Sequence, residues 1–267
     1  MKKVLASLVV AGLTATFSFG QKVENRPVSD FTGINASGAF EITVVKGNTM
    51  SLAIEANDDT MPYVRSEVNN GVLHLYLENN APKRVNSRTV KASIVMKDLD
   101  KVSLSGACKI TANDLFTPER FKSDCSGSSN MTININTGQL SIKASGTSKI
   151  QITASVTGET GINVAGSSNI HGEMRVNNMK FNSSGSCEVN LTGSAMDVIL
   201  DMAGASTFKA GDFTARTAVI KSSGSSNATV NVTDALNVNS AGASTVNYKG
   251  SPTITINSRG ASKVSKI

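Results

Sequence analysis

The chain has 267 residues, with 26 basic and 20 acidic side chains and a formal charge of +6. The bases lie scattered among acids, aromatics are only 4% of residues and Trp is absent. This argues against nucleic acid as a partner, because such binders gather charge on one face beside stacking rings. So few large rings also exclude a wide aromatic core, whereas many thin layers of Val, Ile, Leu and Ala suit a solenoid.

The chain opens on Lys2 and Lys3, followed by the apolar run Val4 to Val10 and on through Leu13, Phe17 and Phe19. That is the layout of a secretory signal peptide, with a small-residue cleavage site at Ser18-Phe19-Gly20. Residues 1–20 are therefore expected to be removed, giving a start near Gln21 and, without Lys2 and Lys3, a charge of +6 − 2 = +4. No Cys in this window could accept a lipid. Thr14, Thr16 and Ser18 interrupt the apolar run, which is too short to span a bilayer, and no later segment is long enough. The expected location is beyond the inner membrane, in the periplasm, at the outer surface or outside the cell, with no integral membrane segment in the mature chain.

Residues 21–100 are read as a small β-rich N-terminal region. Asp30 to Ile34 leads into Ala36-Ser37-Gly38-Ala39-Phe40, a degenerate copy of a signature that recurs later, so this piece is a candidate first coil. After a turn at Lys46-Gly47-Asn48, residues 51–56 alternate like a strand. Asp58 to Val68 is predicted as a short helix begun by an Asp cap and kept brief by Pro62. Asn69-Asn70-Gly71 then turns into a strand over Val72 to Leu77, and Val90 to Met96 forms another.

From Lys101 to the C-terminus the sequence repeats. Ser105-Gly106-Ala107-Cys108-Lys109-Ile110 returns as Ser126-Gly127-Ser128-Ser129-Asn130-Met131, and so on to Arg259-Gly260-Ala261-Ser262-Lys263-Val264. The nine glycines are separated by 21, 19, 20, 19, 19, 20, 18 and 18 residues. The fourth residue after each glycine is apolar (Ile110, Met131, Ile150, Ile170, Val189, Phe208, Ala228, Val246, Val264), and so is the fourth before it, apart from Ser123. Even offsets are thus inward and odd offsets polar, the period of two that strands require. The second residue after each glycine is always Ser or Cys, which on this parity forms an inward ladder of small side chains. The glycine itself supplies a tight bend or a positive φ.

A unit of about twenty residues is too thin to bury its own apolar face, so neighbours must stack. With no room for a crossover helix, the predicted architecture is all-β: a right-handed, single-stranded parallel β-helix of about nine coils over residues 101–267. The N-terminal region caps its first edge. Three cysteines fit inside it. Cys108 and Cys187 hold equivalent positions four coils apart, on the order of 19 Å and beyond disulfide reach, and Cys125 is displaced along the coil. All three are expected to be buried free thiols.

The opening Phe31-x-Gly33-Ile34-x-x-Ser37-Gly38, the serial Ser-Gly-Ser-Ser signatures and the closing Val246-Asn247-Tyr248-Lys249-Gly250-Ser251-Pro252 carry a resemblance. In their order and spacing they resemble the head GIN domain of putative auto-transporter adhesins, exported proteins common in Bacteroidetes. The resemblance covers nearly all of the mature chain. It implies an exported β-helical protein with an adhesive role and brings no catalytic residues with it. No membrane-barrel sequence follows Ile267, so the secretion route in that name is not expected to apply.

Three functions compete on the sequence. The first is a non-enzymatic binding module for a glycan or protein. Its contact row would be Lys109, Asn130, Lys149, Asn169, Glu188, Thr207, Asn227, Thr245 and Lys263, each one residue before an inward apolar position. A merely solvated face has the same appearance. The second is an envelope scaffold that self-assembles through rod ends, since no capping element follows the ninth signature; a homo-oligomer through the C-terminal coil is the expected form. The third, a polysaccharide-acting enzyme, needs clustered carboxylates, whereas Asp114, Asp124, Glu159, Glu173, Asp197, Asp201, Asp212 and Asp234 scatter through the coils at differing offsets. The expectation is therefore no enzyme, no cofactor and no metal site, with His74 and His171 isolated.

Overall fold

The computed structural model describes residues 21–86 and 88–267. Residues 1–20, where the leader is expected, lie outside the described residues. The chain forms a parallel β-solenoid of about nine windings. Each regular coil has two strand legs joined at the signature glycine, and each leg pairs in parallel with its counterpart in the next coil.

The glycine corner sets this stacking. All nine signature glycines have positive φ, between 71° and 97°, where an L side chain is strained. Each also lies flat against the coil before it. A Cβ on Gly146 would stand 2.6 Å from the carbonyl oxygen of Gly127, and one on Gly166 equally close to that of Gly146. The same carbonyls accept the next coil's first backbone amide, as in Thr147 N to Gly127 O at 2.7 Å and Ser167 N to Gly146 O at 2.8 Å. Gly38 is a tenth member of the column, directly beside Gly106 in the parallel ladder.

Beside the glycines from Gly127 to Gly242 the inward Ser hydroxyls are buried and bonded within their own corners. Ser129 Oγ donates to Ser126 O at 2.6 Å and Ser148 Oγ to Ser145 O at 2.7 Å. Cys108 and Cys187 make the weaker thiol version to Ser105 O and Ser184 O, at 3.3 and 3.2 Å. The expected row of inward hydroxyls and thiols is thus closed by short local bonds, which removes the cost of burying it. All three cysteines are buried and free. Burial raises the Cys125 thiol pKa to about 12, with Asp124 adding to the shift.

The even-offset side chains fill the interior. Ile110, Met131, Ile150, Ile170, Val189, Phe208, Ala228 and Val246 are all buried, as are Val102, Ile142, Ile162, Phe181, Leu200, Ile220 and Val238 on the other leg. Ser123, the exception in sequence, points inward as well and its hydroxyl has no partner. Such an unpaired group costs about 1–3 kcal/mol, so parity overrides side-chain chemistry here.

The N-terminal strands are β1 Gln21–Arg26, β2 Gly33–Gly38, β3 Phe40–Lys46, β4 Ser51–Asn57, β5 Val64–Asn69, β6 Val72–Leu77 and β7 Val90–Met96. They precede β8 Lys101–Gly106 and β9 Lys109–Phe116. β2 and β3 are the two legs of a coil stacked directly on β8 and β9. The chain then leaves, and β6 and β7 return to lie in parallel on the outer side of β2 and β3. A helical turn, α1 Lys83–Asn86, stands between them where later coils have the glycine corner, and Val85 is buried there.

Antiparallel strands finish this end. β5 pairs with β6 through a hairpin at Asn70 and Gly71, both at positive φ. β4 pairs with β7, and β1 with β4. Arg26 bridges the two outer edges, donating to Val64 O at 2.9 Å and Ser66 Oγ at 3.2 Å. One expectation is corrected: Asp58 to Val68 is not a helix. It holds a single 3-10 turn, Met61–Tyr63, and then β5. The tertiary demand to pair with β6, whose Leu73 and Leu75 are buried, outweighs the Asp cap and Pro62.

Two alanine substitutions separate the corner's requirement from ordinary strand behaviour. Gly146→Ala places a Cβ in the Gly127 carbonyl at positive φ and is expected to cost about 3 kcal/mol or more. Gly161→Ala meets nothing within 4 Å and is expected to stay within about 0.5 kcal/mol of the parent. Chemical-denaturation midpoints of the two variants check this, and equal midpoints would contradict it.

Candidate functional site

The residue before each inward apolar position stands on the outer face of the leg after the glycine. Parallel register then aligns these residues rung by rung. Lys109 is beside Asn130, Asn130 beside Lys149, Lys149 beside Asn169 and Asn169 beside Glu188. The row continues through Thr207, Asn227, Thr245 and Lys263. The structure therefore brings all nine sequence-predicted residues into one column. Thr207 and Thr245 are half-buried and the other seven exposed.

Two features of this face escaped the sequence reading. Glu41 extends the column by one rung, next to Lys109, and the two form an ion pair at 2.8 Å. The Lys109 hydrogen bond and charge hold the Glu41 carboxyl below its usual pKa range. A second column runs parallel to the first, two residues further along each leg: Thr132, Gln151, His171 and Asn190 at its centre. The fifth residue after each signature glycine is its sequence signal, legible once the first column is drawn.

Between the two columns lies a shallow groove of about 420 Å³. One wall is Asn130, Lys149, Asn169 and Glu188, the other Thr132, Gln151, His171 and Asn190, and Met131, Ile150 and Ile170 form the floor. The walls are amides, a hydroxyl, the His171 imidazole and single charges of both signs. Lys209 closes over one end, pairing with Glu188 at 2.6 Å.

A second concavity, about 700 Å³, sits at the N-terminal end among Asp30, Phe31, Lys46, Asn48, Met50, Lys97, Asp98 and Thr117. Much of its polar lining is occupied in holding the loops together. Asp98 accepts the amides of Leu99 and Thr117, and Lys46 Nζ donates to Leu115 O at 2.9 Å.

The scattered carboxylates are not gathered by folding. Asp197 and Asp201 share a coil, but Asp197 is held by Arg216 and Thr217 at 3.0 and 2.6 Å. Glu173 pairs with Arg175, and Asp212 with Lys249. Among the described residues no three His, Cys, Asp or Glu side chains are grouped to hold a metal ion. Among them, too, no helix is long and apolar enough to cross a membrane.

No curated protein matches the chain. A crystal structure named as a putative lipid binding protein of Parabacteroides distasonis is 20% identical, over 93% of this chain and 97% of that one, with a TM-score of 0.67. A putative adhesin of the same organism is 19% identical over 92% and 97%, with a TM-score of 0.69. One from Parabacteroides merdae is 18% identical over 93% and 97%, with a TM-score of 0.67. At such identity these establish the shared fold. The family pattern described as "Putative auto-transporter adhesin, head GIN domain" matches residues 30–158 and 155–252, and the chain belongs to that family.

Proposed function

We propose that this protein is an exported, non-enzymatic adhesin-like module that engages a glycan or protein through the polar columns after the glycine corner. The observation that carries the reading is register: Lys109, Asn130, Lys149, Asn169 and Glu188 occupy adjacent rungs of one exposed face. Chemically similar groups are thereby presented many times over, which turns weak single contacts into useful avidity. Family membership supports an adhesive role and a place outside the cytoplasm, and the structural neighbours' names support binding rather than catalysis. The lysine-led apolar leader of the sequence supports export.

The test exchanges charge within the column at constant net charge, using Lys149→Glu with Glu188→Lys. Parent and variant are applied to arrays of glycans and of immobilised extracellular proteins. Loss of the parent's strongest signals in the variant is expected; an unchanged binding pattern would remove this face as the contact surface.

Assembly through the C-terminal coil is a second reading, favoured by one observation. Ile256 is 49% exposed, whereas Val238 and Ile220, at the same position in preceding coils, are fully buried. A second copy covering that end would bury it. Light scattering at micromolar concentration is expected to give a dimer that Ile256→Lys converts to monomer; a monomeric parent would end this reading.

A further inference from the structure

We infer that the groove between the two polar columns seats a single unbranched polysaccharide strand lying parallel to the rod axis. This rests on the binding function proposed above and names its ligand class.

Shape gives the direction. The groove is four coils long and only the gap between two columns wide. The lateral groove from Asp124 to Ser184 on the other leg runs the same way across four coils. A compact ligand would touch one or two rungs of such a surface and leave the rest in water, whereas a thin polymer fills it.

The chemistry of the walls selects the class. Asn130, Asn169, Gln151 and Asn190 each present both a donor and an acceptor, as hydroxyl-rich ligands require. Glu188 is paired with Lys209, which leaves Lys149 as the one remaining charge of the two on this wall, too little to make the extended field of one sign that favours a polyanion.

A peptide strand fits less well for two reasons. β-Augmentation needs an open sheet edge, but the floor strands at Met131, Ile150 and Ile170 are already paired on both sides. The repeat also differs: same-face side chains of an extended peptide recur every ~6.7 Å, while the rungs recur every ~4.8 Å. A pyranose ring in an extended chain advances by close to one rung, so successive sugars meet equivalent amides. The groove is shallow, so each rung adds little and affinity accumulates with length.

The test uses the purified chain, titrated calorimetrically with cello- and chito-oligosaccharides from disaccharide to octasaccharide. Affinity for at least one series is expected to rise about tenfold or more between disaccharide and tetrasaccharide, and to level off beyond the length that the four coils seat. The isosteric pair Gln151→Glu with Asn169→Asp is expected to weaken the octasaccharide at least as much while leaving the thermal midpoint unchanged. Absence of binding by every oligosaccharide, or equal affinity for disaccharide and octasaccharide, overturns the inference. If the arrays meanwhile reveal a protein partner sensitive to the charge exchange, the proposed function stands and only the polysaccharide is lost.

Discussion

The contact on which the rest of this structure depends is the approach of each signature glycine to the carbonyl of the glycine one coil earlier. At Gly146 the space a Cβ would fill is 2.6 Å from Gly127 O, and the neighbouring amide of Thr147 bonds to that same oxygen. A close, bonded stack of this kind leaves no freedom for a coil to slide along its neighbour. Register is therefore set at the corner, and a slip by one residue would turn every inward side chain to water. The apolar columns and the two polar columns outside both follow from that alignment.

The ends obey a different constraint. A parallel stack always leaves a terminal coil with an unpaired edge. At the N-terminal end β6 and β7 cover β2 and β3, and antiparallel strands then cover them in turn. Arg26 ties the two outer edges together through Val64 and Ser66. At the other end Ile256 stays open while Val238 beneath it is buried. The N-terminal finish is thus made by strands running against the stack.

Legibility in the sequence followed this division. The repeating part could be read because the glycine step and the alternation around it are the direct image of stacking; Ile150 and Phe208 were placed inside from parity alone. The first polar column was legible for the same reason, as an odd offset repeated nine times. In the N-terminal finish the strands over 51–56, 72–77 and 90–96 were legible from alternation, but their pairing was not, because each occurs once and has no neighbour in sequence to compare with. β1 left no signal that was read, Asp58 to Val68 carried a helix-start pattern that pairing with β6 overrode, and nothing local shows that β6 inserts on the far side of β2. The column through Gln151 and His171 was missed because its chemistry varies from rung to rung while its geometry does not.

Stacking in register is most directly tested by one long-range distance. Asn130 and Asn227 are 97 residues apart in sequence but occupy the same column five windings apart, which places their backbones at about 24 Å, given ~4.8 Å per strand spacing. Cysteine at both positions, spin-labelled and read by pulsed electron resonance, reports that separation, with the unsubstituted protein controlling for its own buried thiols. A single narrow distribution near that value is the predicted result. A broad distribution, or one centred near double that distance, would contradict the account.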